Sequence, residues 1–204
     1  MSAMNPTPEL QVSQAADIRQ RLVPAAKVIL RRASGYLELG ELLLEGEGAA
    51  PPTACRLFRR ALAELSQLDE ADRRDTAAAL LEGESLRALG EWEAALPSLT
   101  HAAHATPAHL EAWLGIGWCL KRLERLPEAI AALAEGLEAF PDQPVLHYNL
   151  ACYHSLAGNV PAAIDQLTRA IAIDDRFRDL TGHERDFDAI RSDPRFVAAT
   201  SVTV

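Results

Sequence analysis

The sequence predicts an all-α chain made of stacked helix pairs, on three observations. Its apolar residues recur at helical spacing. Its apolar mass, 49% of 204 residues with only 5% aromatic, is mostly Ala and Leu, which are strong helix formers. Finally, one pattern returns at a fixed step of 34 residues. No run of β-branched and aromatic residues at period two argues for a sheet.

Residues 1–13 are polar, contain two prolines and carry no apolar stretch, so they are expected to be disordered and to hold no targeting signal. A first helix is predicted over residues 14–32, with Ile18, Leu22, Ala26, Ile29 and Leu30 at helical spacing. Pro24 kinks this helix or marks a fresh start.

The periodic part follows. Trp113 aligns with Ala79 and His147 at the 34-residue step, which brings the rest into register. Gly83, Gly117 and Ala151 then coincide, as do Ala95, Ala129 and Ala163, and Leu99, Leu133 and Leu167. Small residues belong where helix axes approach closely, and the leucines fill the space between units. Pro107 and Pro141 are placed to end the second helix of a pair. A looser copy covers residues 34–65, with Tyr36, Leu39, Gly40, Leu43, Ala54, Phe58 and Ala61. It has two extra loop residues and a long exit over 66–74.

This combination resembles the tetratricopeptide repeat. The copy from Trp113 carries Ile116-Gly117, Leu120, Ala129, Leu133, Gly136 and Pro141, and sister copies carry the turn glycines Gly90 and Gly158. The resemblance covers about 140 residues in four copies. It implies a right-handed α-α superhelix of about four helix pairs with an N-terminal capping helix and a C-terminal helical cap. The array spans 33–175, divided at about 33–74, 76–109, 110–143 and 144–175, and residues 176–204 form the cap and tail. In the tail Phe177, Leu180, Phe187, Ile190 and Phe196 are apolar anchors, and Asp193 before Pro194 reads as a helix N-cap. This tail is similar to closing segments of small bacterial tetratricopeptide proteins.

The family commonly binds a peptide on a concave face lined by the first helix of each pair. Here that face is expected to present Leu80, Glu84, Arg87, Leu114, Trp118, Lys121, Tyr148, Cys152 and Ser155, with Leu37 and Glu41 at its start. An aromatic is not required by the stack at 118 or 148, so both point to an apolar binding pocket. The competing reading is that the tail or the first helix folds into the groove. Relatives that grip chaperone C-termini need Lys, Asn and Arg at groove positions held here by Leu80, Glu84, Gly115, Val145 and Asn149. Only Asn149 fits, so acidic chaperone tails are not expected ligands.

Other chemistry is not indicated. A net charge of −9 disfavours nucleic acid. No stretch reaches membrane-span length. Cys55, Cys119 and Cys152 have no disulfide or metal spacing, which suits a reducing cytoplasm. His101, His104 and His109 lack a convincing ligand set and read as surface residues, while His147 and His154 replace packing aromatics. No nucleophile or phosphate-loop motif is present, so neither catalysis nor a cofactor is expected. The resulting expectation is a cytoplasmic adaptor for a protein or peptide partner. A client-holding chaperone of a secretion or assembly system, or a regulatory subunit of a separately encoded enzyme, are the alternatives. Self-association stays open.

Overall fold

The computed structural model describes residues 8–44, 48–105 and 108–201, with side chains from residue 25 onward. The helices are α1 (Pro8–Glu41), α2 (Pro52–Leu65), α3 (Glu70–Arg73), α4 (Thr76–Ala88), α5 (Trp92–Ala103), α6 (Leu110–Arg122), α7 (Leu126–Ala139), α8 (Pro144–Leu156) and α9 (Val160–Ile173). A C-terminal segment adds α10 (Arg176–Leu180), a 3₁₀ turn (Arg185–Phe187) and α11 (Pro194–Thr200). No strand occurs among the described residues. Four pairs form the array: α1 with α2, α4 with α5, α6 with α7 and α8 with α9, each stacked on the next.

The periodic small residues do what the pattern predicts. A Cβ on Gly83 would lie 2.6 Å from Leu99, one on Gly117 2.9 Å from Leu133, and one on Gly40 2.3 Å from Phe58. Leu99, Leu133, Leu167 and Phe58 are each wholly buried. The same knob therefore fills the same gap in all four pairs, with Phe replacing Leu in the first and Ala151 replacing Gly in the last.

The turns inside the pairs follow one scheme as well. After α4, the Gly90 N–H bonds to the Arg87 carbonyl and the Glu91 N–H to the Leu86 carbonyl. This double closure requires a left-handed residue between. Gly90 (φ 80°) and Gly158 (φ 74°) meet that need, but the third unit places Glu124 there at φ 60°. A side chain in that region costs about 1–2 kcal/mol, partly offset by the greater unfolded-state freedom of glycine. Glu124→Gly should raise stability by about 0.5–1 kcal/mol, seen as a higher urea midpoint with unchanged slope.

The N-terminal helix differs from the sequence expectation. Residues 14–32 do not form a separate capping helix, and residues 8–13 are helical, not disordered. Both belong to α1, which runs on through Pro24 to Glu41, while residues 1–7 lie outside the described part. Nothing at the expected break ends a helix: Ala33 is buried against α2, and Ser34 bonds forward to Glu38 at 2.7 Å. Pro97, absent from the sequence expectation, stands inside α5 on its exposed side. It removes one backbone bond without ending the helix. Pro107 lies outside the described residues.

Candidate peptide-binding face

The nine expected groove residues form three rows at the repeat step: Leu80, Leu114 and Tyr148; Glu84, Trp118 and Cys152; Arg87, Lys121 and Ser155. Each row takes one residue from α4, α6 and α8; α4 packs beside α6, and Lys121 of α6 lies over the Tyr153 ring of α8. Their accessibility divides the face in two.

The α8 end is closed. Tyr148, Cys152 and Ser155 are 7%, 3% and 1% exposed, which leaves little of them on the groove surface, although Tyr148 still borders a cavity of about 500 Å³ walled by Leu180, His183, Glu184 and Arg185. The C-terminal segment covers this end. Phe177, tilted, and Phe187, edge-on, pack against Tyr148 with ring centroids 5.1 and 5.6 Å away, and Phe196 backs Phe187 at 5.4 Å. Lys121 pairs with Asp186, tying α6 to the 3₁₀ turn. Arg191 holds the loop's shape by donating to the carbonyls of Thr181 (2.9 Å) and Glu184 (2.8 Å). Asp193 caps α11 by accepting from the Arg195 N–H at 2.9 Å. Burial pushes the Tyr148 hydroxyl and Cys152 thiol pKa values upward, keeping both neutral.

The α4–α6 end is open. A cleft of about 360 Å³ lies between the end of α1, α4 and α6, with Asn149 of α8 at its edge. Leu114, Gly115 and Trp118 make its wall, and Glu41, Glu84, Glu111 and Arg87 line it. Gly115 leaves room here: a Cβ would come 2.7 Å from the movable Glu84 carboxylate and 3.1 Å from Leu99. Arg87 donates to Glu84 at 2.8 Å and lies 3.9 Å from Glu41. Two carboxylates thus share one guanidinium, and Glu111 lines the same cleft. Burial raises the Glu41 pKa, Arg87 opposes that rise, and the nearby charges of Glu84 and Glu38 add to it. Trp118 is half-buried and carries the Lys121 ammonium 5.7 Å from its ring centre.

Leu37 is not on this face. It is 7% exposed and packs with Ala54 and Phe58 between α1 and α2. Leu80 is half-buried against the core. The Asn149 amide donates to the Val145 carbonyl at 2.8 Å, so it is engaged within its own helix.

The histidines lie elsewhere. His101 meets the Arg74 carbonyl at 3.0 Å, and His104 meets the Thr100 carbonyl and the Glu135 carboxylate, each at 2.9 Å. His147 is buried between Gln166 and the Pro141 carbonyl, and burial lowers the His154 pKa. Among the described residues no three His, Cys, Asp or Glu side chains gather at metal-binding distance. No helix among them is long and apolar enough to cross a membrane. Cys119 is buried and its thiol pKa is pushed up to about 12 by that burial, which makes it unreactive.

A family described as tetratricopeptide repeat matches residues 80–144 and 122–176. No curated protein matches the chain. Among solved structures, one titled "MamA MSR-1 C2" is 20% identical, with 78% of this chain and 95% of that one covered and a TM-score of 0.53. A second, "MamA RS-1 ArsTM double mutant", is 18% identical over 77% and 94%, also at 0.53. At such identity the likeness shows the fold alone: an all-α, right-handed superhelix of helix pairs.

Proposed function

We propose that this chain, whose residues 80–176 belong to the tetratricopeptide repeat family, holds a basic peptide segment of a protein partner in its α4–α6 cleft. The family and fold make it a protein-interaction module. The observation that carries the finer reading is the division of the concave face. The part near α8 is filled by the chain's own tail, and the part left open combines an apolar wall with surplus negative charge.

The chemistry follows from that surplus. Glu41 and Glu84 share a single Arg87 and Glu111 lines the same cleft, so a lysine or arginine entering it would relieve repulsion that the protein alone cannot. The methylene stem of such a side chain would lie along Leu114, and its charge would lie over Trp118, which attracts cations through its ring face. Acidic peptides meet the reverse situation, since Glu84 stands where an uncharged or basic group would be needed. Trp118 is the expected energetic centre, with Leu114 beside it.

Selection from a random-peptide display library tests this. Enriched sequences should carry Lys or Arg beside an apolar residue, and their binding should weaken at higher salt. Enrichment of acidic peptides would overturn the reading. The pH dependence has a definite sign. The Glu41 carboxyl is held above its usual range, and it must be ionised to attract a cation. Affinity should therefore be full above that raised value and fall as pH drops through it, with protons released on binding. Glu41→Gln should flatten this part of the profile in isothermal titration.

A further inference from the structure

The first helix pair presents an outer face built like an interior one. Gly35, Leu39 and Leu42 of the first unit correspond to Ala78, Glu82 and Ser85 in α4, to Ala112, Ile116 and Cys119 in α6, and to Leu146, Leu150 and Tyr153 in α8. In the later helices these positions pack on the preceding unit. Ala112, Ile116 and Cys119 are at most 5% exposed, Leu146, Leu150 and Tyr153 at most 2%, and Tyr153 lies under Lys121 of α6. On α1 the same face is bare: Leu39 is 54% and Leu42 80% exposed, and Val28, two turns before Gly35, is 46% exposed. Because residues 8–32 continue α1 in a single helix, they do not fold back over this face.

We propose that a second copy of this chain covers it, with the two α1 helices packed antiparallel about Gly35. Val28, Gly35 and Leu42 are spaced by seven residues, so they lie on one side of the helix, with Leu39 beside them. Leu42 remains in helical register, its N–H bonding to the Glu38 carbonyl at 3.1 Å. Gly35 at the centre has nothing within 4 Å of its Cβ position, leaving room for a second helix backbone to approach. Charge selects a copy of the same chain and sets the direction. Lys27, Arg31 and Arg32 precede Gly35, and Glu38 and Glu41 follow it. An antiparallel pair centred there sets Val28 against Leu42 and Arg31 beside Glu38 on the same flank, twice over by symmetry, while Arg32 is turned to Glu64 of α2 at 3.8 Å. A parallel pair would set like charges together.

Sedimentation velocity of the full chain over a concentration series should show a monomer–dimer equilibrium. Leu39→Glu with Leu42→Glu should weaken it about a hundredfold, with an unchanged thermal melt because both side chains are exposed. Glu38→Lys should weaken it about tenfold, and adding Arg31→Glu should restore it. Gly35→Cys should give a covalent dimer on mild oxidation, whereas Ala63→Cys on the outer side of α2 should not. A wild-type chain that sediments as a monomer up to about 100 μM would overturn the proposal. So would association that survives the double leucine change, or assembly that continues past the dimer.

Discussion

Leu133→Ala should lower the free energy of unfolding by about 2–5 kcal/mol. Leu133 is wholly buried on α7 and fills the space left by Gly117 of α6, where a Cβ would come within 2.9 Å of it. The gap left by truncation is bounded by helix backbone, which relaxes little, so the cavity cost adds to the lost burial. Leu156→Ala is the matched control, since Leu156 is 42% exposed. It should shift stability by less than about 0.5 kcal/mol. Urea unfolding followed by helical circular dichroism measures both. An equal effect of the two would mean that the interlock between paired helices is not what holds the array.

Phe187→Ala should cost about 3–5 kcal/mol and should loosen the tail in particular. Phe187 has no exposed surface, and its ring lies between Tyr148 and Phe196. It is the centre of the contact by which the C-terminal segment closes the α8 end of the groove. Hydrogen exchange should accelerate across residues 181–191 and along α8, while α6 and α7 change less, because stability in a stacked array is shared chiefly between neighbours. Leu180→Ala, at a residue 52% exposed, should leave exchange unchanged. Uniform acceleration along the whole array would show instead that the tail and the repeats unfold as one unit.

The array was legible in the sequence because each unit solves the same packing problem with the same residues. Gly83 against Leu99 and Gly117 against Leu133 recur at one step, and even Gly40 against Phe58 is visible through the looser first copy. The N-terminal boundary was not legible, because a repeat pattern locates where packing begins and says nothing about where a helix begins. No breaker separates residues 14–32 from Tyr36, and the helix runs through. The candidate site was legible in its rows and illegible in its occupancy. Phe177 and Phe187 were recognisable as anchors, but their seat on Tyr148 joins residues 29 and 39 positions apart with no periodicity to announce it. Trp118 kept its place on the open surface and Tyr148 did not, although the sequence treats them alike.

That asymmetry carries the functional account, and titration of one library-selected basic peptide into the wild type and Trp118→Ala tests it most directly. The account predicts at least about a tenfold loss of affinity in the variant, with the helical signal and melting midpoint retained. Equal affinity for both proteins would contradict it and place the binding surface outside the cleft.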